Sequence, residues 1–268
     1  MATKIPIVFA WLAYRPDSDL FRESVRSVIR TFGKDERFAP QYVMLDDAWC
    51  PVRRDVREWF LAQPDTRRIA TTYRRSAMLL GGENFLGQCR AFLDAAESCE
   101  LPDEGIFVKV DCDAVHFRGD WLAEFAADEW AQVAGVFDYG NDNHFSVFGF
   151  TYAVKARWLD PLARDAEMYP AHHKAWEDHE TSSRIFRMCG GDTDTMLRFR
   201  EGAESGLICR PLDQVNDTWV KAQCCTFAWD YQPAADKPAY RAKVAEWMKR
   251  LNDVAEGLRD METPKTAE

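Results

Sequence analysis

Within the first 117 residues, four apolar runs alternate with three stretches whose apolar residues recur at helical spacing. Residues 5–12, IPIVFAWL, read as a buried strand. In the next stretch Phe21, Val25, Val28 and Phe32 fall on one helical face, with Asp17 or Ser18 available to cap its start and Gly33 to end it. The pattern continues with a strand at 42–47 (YVMLDD), a helix at 52–63, a strand at 67–73, a helix at 84–98 and a strand at 105–111. Such alternation predicts a mostly parallel sheet with helices on both faces. Ligands of these sheets bind outside the carboxyl ends of the strands. Tyr14, Asp46, Asp47, Asp111 and Asp113 all stand at such ends.

The fourth strand carries the strongest chemical signal. FVKVDCDAVHF, residues 107–117, places two carboxylates one residue apart where a buried strand stops. Unpaired buried charge is costly, and two like charges are worse. Residues i and i+2 of a strand point the same way, so the two carboxylates stand on one side of the strand end and could hold Mg²⁺ or Mn²⁺. A metal so placed binds a diphosphate and stabilises charge on a departing phosphate.

The second half is less regular. Residues 130–138 read as a strand, 149–162 as a strand leading into a short helix, and 177–191 as a helix stopped by Gly190 or Gly191. Near the end Tyr240, Val244, Trp247, Leu251, Val254 and Leu258 form an amphipathic helix that packs on the body or on a second subunit. The net charge of −10 argues against a general polyanion binder. No segment reaches the roughly 18 apolar residues of a membrane span, so a cytoplasmic protein without membrane contact is expected. The eight cysteines include no Cys-x-x-Cys pair, which points to buried thiols in a reducing compartment and away from structural zinc.

Five segments, in order, resemble those of GT-A glycosyltransferases. AYRPDSDLFRESVRSVIRTFG looks like their first strand, turn and helix, and VMLDDA like their second strand, whose acid contacts the nucleotide. VKVDCDAVHF resembles their Asp-x-Asp segment, GFTYAVKARWLDPL the stretch crossing the acceptor site, and WEDHETSSRIFRMCGG their Glu-Asp helix. The sequence departs from the family at Asp46-Asp47-Ala48-Trp49, where Asp-Asp-Gly-Ser is usual, and at Arg90-Ala91, where Arg-Asn is frequent.

The resemblance implies a GT-A-like, Rossmann-type mostly parallel sheet flanked by helices, with the C-terminal amphipathic helix added. It implies a hexosyl- or pentosyltransferase that moves a sugar from a nucleotide-diphosphate sugar, first a UDP-sugar, to an acceptor hydroxyl with Mn²⁺ or Mg²⁺. Tyr14, Arg15, Asp46, Asp47, Arg90 and Asp111 are the donor-binding candidates, and Asp111, Asp113 and His179 the metal candidates. Asp178, with Glu177 second, is the candidate catalytic base; by residue physics alone both acids also suit a helix start. Trp11, Trp49, Trp176 and Trp229 are candidates for stacking on sugar or base. The expected organisation is a catalytic domain over 1–235 (donor half 1–117, acceptor half 118–235), a helix over 236–262 and a disordered tail over 263–268.

The acceptor is a saccharide, a small molecule or a hydroxymethylated base in phage DNA. The last option draws on residues 53–75, where seven arginines meet three acids; a solvated, ion-paired face is the plain reading of that segment. Two further readings stay open. A haloacid-dehalogenase-like phosphohydrolase would use Asp111 as nucleophile and draw metal-binding acids from GGDTD, residues 190–194, although three strand–helix units precede Asp111 where that class normally begins with it. A non-catalytic nucleotide-sugar-binding module is the other. The sequence does not fix the oligomeric state.

Overall fold

A computed structural model describes residues 3–72, 82–137, 147–170, 177–199, 206–210, 212–227 and 237–262. The candidate tail over 263–268 lies outside them. The first half follows the alternation in the sequence: β1 (Ile5–Ala13), α1 (Ser18–Phe32), β2 (Phe38–Asp47), α2 (Arg54–Leu61), β3 (Thr66–Thr71), α3 (Gly82–Ser98) and β4 (Ile106–Val110). The second half adds β5 (Val115–His116), α4 (Asp120–Ala127), β6 (Val133–Phe137), β7 (Val147–Lys155), α5 (Leu159–Met168), α6 (Glu177–Met188), β8 (Met196–Phe199), β9 (Leu207–Arg210), β10 (Cys224–Phe227) and α7 (Lys237–Glu262).

Seven strands form the main sheet in the order β3-β2-β1-β4-β7-β6-β8. Only β7 runs against the others, pairing antiparallel with both β4 and β6. The mixed α/β fold with a mostly parallel sheet is therefore as the sequence pattern predicts. A second sheet, β5-β10-β9, has strands of two to four residues, too short for periodicity to reveal.

β1 shows why the layers form. Its odd residues Ile7, Phe9 and Trp11 pack with Phe21, Val25, Phe60, Trp121 and Met248 on one face of the sheet. Its even residues Val8, Ala10 and Leu12 pack with Phe92, Tyr152, Leu159 and Ile185 on the other. An apolar run without alternation is what a strand buried on both faces requires. The apolar stripe of α7 closes the first layer: Tyr240, Val244, Met248 and Leu251 are buried. The helix lies on α1, where Arg26 bridges Asp253 and Glu256, and Arg30 donates to Asn252. Gly190 and Gly191, at φ +80° and +79°, turn the chain after α6 in the left-handed region that glycine alone enters without strain. No helix of the described residues is long and apolar enough to cross a membrane.

His116 is a polar ring in an apolar place. It is fully buried against Phe9, Phe32 and Trp121, and neither nitrogen has a hydrogen-bond partner among the described residues. Burial, with a smaller contribution from Arg30, pushes its pKa down to about 3. Between that value and the unfolded pKa near 6.5, the unfolded chain binds a proton that the folded one refuses. This stability is complete above about pH 6.5 and is lost as pH falls toward 3. His116→Phe is expected to remove that slope, making the variant about 2–3 kcal/mol less acid-sensitive than wild type between pH 6.5 and 4.5. Parallel denaturant titrations would measure it; equal slopes would mean that the ring is protonated in the fold.

Candidate active site

The site is built where β1, β2 and β4 end. After β1, Tyr14 opens a loop that enters α1. Its hydroxyl accepts from Arg241 Nη2 at 2.7 Å, and the same guanidinium donates through Nε to Asp17 Oδ1 at 3.0 Å. Asp17 stands at the N-cap position of α1 but makes no side-chain capping bond; its carboxylate faces Arg241 instead. Ser18 does not cap either: its hydroxyl donates to Arg15 O. Arg15 has an exposed side chain, and its backbone N–H bonds Cys50 O at 2.8 Å, tying this loop to the one after β2.

That second loop is shaped by the two acids ending β2. Asp46, fully buried, accepts from Val52 N and from Arg68 Nε, both at 2.8 Å. Asp47 Oδ1 accepts from the N–H groups of Trp49 and Cys50 at 2.8 and 3.1 Å. Both carboxylates therefore brace the loop, and what the loop presents outward is Trp49, 67% exposed. Of the other tryptophan candidates, Trp11 belongs to the core, where its indole donates to Ser24 Oγ, and Trp176 and Trp229 lie outside the described residues.

The pair Asp111 and Asp113 does not sit on a continuing strand. β4 ends at Val110, and Ala114 N bonds Asp111 O at 3.1 Å, so residues 111–114 form a turn. The alternation of a strand no longer fixes their directions, which corrects the expectation that both point to one side of a strand. Two contacts from neighbouring elements help to hold the turn. Ser24 Oγ donates to Asp111 O at 3.2 Å, while itself accepting from Trp11, and Cys112 Sγ donates to Leu12 O at 3.5 Å.

Asp111 Oδ1 meets Lys109 Nζ at 2.7 Å. Lys109 lies within β4, 1% exposed, so part of the positive charge that the acids need comes from the chain itself. Asp113, 7% exposed, faces a different neighbourhood. Its charge reaches Tyr240, Cys224 and Cys225, whose pKa values are raised first by burial and further by this carboxylate. The first turns of α7 thus stand beside both Tyr14 and Asp113.

The other candidates divide. Arg90, exposed on α3, pairs with Glu167 of α5 at 3.1 Å. Glu177, Asp178 and His179 open α6, and their side chains lie outside the described residues, as do His144, His172 and His173. The described residues contain no cluster of three or more potential metal ligands. Two carboxylates on a turn nevertheless fit a hard cation that takes one or two protein oxygens and completes its shell with water and phosphate.

Sequence reasoning missed Lys109, Asp17, Tyr240 and Arg241. A charged residue inside IFVKV was a legible signal for the first. For Arg241 nothing local exists, because its partner Tyr14 is 227 positions away.

The arginine-rich segment is ion-paired. Arg53 grips Asp19 at 2.7 and 2.9 Å, Arg54 pairs with Glu58, and Arg68 and Arg57 both approach Asp46. Arg74 and Arg75 lie outside the described residues. Charge reversal at Arg53 and Arg54 is accordingly expected to change any affinity for duplex DNA, and its salt dependence, by less than about twofold. Filter binding over a salt series would test this, and a clear loss of slope would return the segment to an anion-binding role. Asp192 and Asp194 precede β8, which runs parallel to β6 and hence to β4. They stand at the opposite end of the sheet from Asp111, so the phosphohydrolase reading loses its second set of acids.

No protein-family model matches this sequence, and no characterised protein matches it by sequence. Solved structures do. The fold is similar to the galactosyltransferase LgtC in complex with donor and acceptor sugar analogues, at 12% identity over 94% of this chain and 96% of that one, with a TM-score of 0.52. It is also similar to the bifunctional glycosyltransferase WbbM in its apo form, at 11% identity, 96% coverage and a TM-score of 0.51; here this chain spans 52% of the other. The fold is therefore the GT-A fold.

Proposed function

We propose that this chain is a metal-dependent glycosyltransferase, taking a nucleotide-diphosphate sugar, first a UDP-sugar, and transferring its sugar to an acceptor hydroxyl. One observation carries the reading: the Asp111–Asp113 turn closes the strand beside β1, at the same edge of the parallel sheet as the loops that Tyr14 and Asp46–Asp47 open. Residues 1–117 would form the donor half and 118–235 the acceptor half. In the reaction the acceptor oxygen attacks the anomeric carbon, the bond from that carbon to the diphosphate oxygen breaks with its electron pair, and a base takes the acceptor's proton. Asp178 is that base in this reading. The braced loop after β2 offers Trp49 to a flat ring, and Tyr14, aimed by Arg241, borders the same space. Asp111 and Asp113 would hold Mn²⁺ or Mg²⁺, with His179 a candidate third ligand, and the ion would supply positive charge to the departing diphosphate.

The test is incubation with a panel of nucleotide sugars and Mn²⁺. Slow hydrolysis of one donor, or a thermal shift selective for one donor, supports the transferase. Turnover of simple phosphate esters with no response to nucleotide sugars would replace it with the phosphohydrolase. Donor binding with neither hydrolysis nor transfer to any hydroxyl acceptor would favour the binding module.

A further inference from the structure

We propose that Lys109 is the resting counter-ion of Asp111 and makes the divalent metal enter together with the donor diphosphate, not before it. The inference rests on reading Asp111 as a metal-facing acid. Lys109 is the charged residue within an otherwise apolar strand, IFVKV, and is 1% exposed. An ammonium group so far from water needs an anion. Asp111 Oδ1, at 2.7 Å, is that anion, and the Tyr152 ring, 5.8 Å from Nζ, lines the space beside it. The carboxylate is therefore engaged on one oxygen by a charge that belongs to the fold.

A lone Mn²⁺ approaching Asp111 meets this ammonium across a single carboxylate. Like charges at that range, with little water between them, repel. The metal must share Asp111 with Lys109 or displace it, and displacement gives up the 2.7 Å contact between the two. A nucleoside diphosphate changes the balance, because it brings two or more negative charges that offset both cations. Lys109 thus weakens metal binding to the empty protein while leaving the ternary assembly favourable, and it keeps Asp111 aimed during the wait. The arrangement makes Lys109 a positioning residue that also orders ligand entry.

The experiment measures free Mn²⁺ by electron paramagnetic resonance in titrations of wild type, Lys109→Met, Asp111→Asn and the double variant, first without nucleotide and then with UDP. Methionine keeps the stem volume and removes the charge; circular dichroism and melting confirm the fold. Without nucleotide, Lys109→Met is expected to bind Mn²⁺ at least about tenfold more tightly than wild type, and Asp111→Asn in the double variant should erase that gain. Equal or weaker affinity in folded Lys109→Met overturns the proposal. Lys109→Gln, which can still donate to Asp111 without carrying a charge, covers the case in which Lys109→Met does not fold, and equal or weaker nucleotide-free Mn²⁺ affinity in that variant likewise overturns the proposal. With UDP present, Asp111→Asn should lose Mn²⁺-supported binding. Retained binding there refutes the metal role of Asp111 itself and the proposal with it, whereas a loss there beside an unchanged Lys109→Met refutes only the role of Lys109.

Discussion

Asp111→Asn and Asp113→Asn are each expected to abolish Mn²⁺-supported binding of nucleoside diphosphates, as read by calorimetry. The turn at 111–114 supplies two carboxylates and the described residues supply no larger ligand cluster, so losing either leaves a hard cation with one protein oxygen. The fold should survive both changes. Asparagine keeps the volume, and in Asp111→Asn its amide oxygen can still accept from Lys109, which holds the stability loss below the ~3–5 kcal/mol of a broken buried ion pair. The turn itself is held by backbone groups that the substitutions do not touch, Asp111 O and Leu12 O among them. Wild-type affinity in both variants would remove the metal from the reaction.

The second large effect is expected at Asp178. The residue opens α6, where the helix dipole and nearby N–H groups favour the ionised carboxylate that a base must be. Consecutive helical positions diverge by about 100°, so one of the two acids is expected to serve the acceptor. The resemblance assigns the second acid of the pair to the acceptor side. Asp178→Asn should therefore lower kcat by about 10²–10⁴ with donor affinity nearly unchanged, while Glu177→Gln should have the smaller effect. Turnover and donor binding measured side by side decide between them. Near-normal turnover in Asp178→Asn, or a product that keeps the donor's anomeric configuration, would reduce Asp178 to a helix-start acid or a substrate hydrogen-bond acceptor.

The sequence by itself determined the parts that depend on local period. The apolar runs of β1, β2 and β4 and the helical stripe Phe21–Val25–Val28–Phe32 bury the residues that their spacing marks, whereas of the stripe on α7 Tyr240, Val244 and Leu251 are buried, Trp247 and Val254 only partly so, Leu258 is exposed, and Met248 takes an inner position that the spacing did not mark. Gly190 and Gly191 were legible for the same reason, since a backbone at positive φ selects glycine locally. The positions of Asp111 and Asp113 near a strand end were also legible, but their directions were not. That took the turn at 111–114, which forms because Ser24 on α1 and Leu12 on β1 supply its partners.

The tertiary structure alone decided where charges find their opposites. Asp46 accepts from Val52 and Arg68, and Asp47 Oδ1 from Trp49 and Cys50, partners that no local pattern announces. The arginines of residues 53–75 read first as an ion-paired face, but that Asp19, from another element, engages Arg53 is decided by the packing. Arg241 reaches Tyr14 and Asp17 only because α7 lies along α1. The physical reason is common to all of these. Apolar burial is short-ranged along the chain and leaves a periodic trace, whereas an ion pair needs only proximity in space, which residues far apart in sequence acquire when the layers pack.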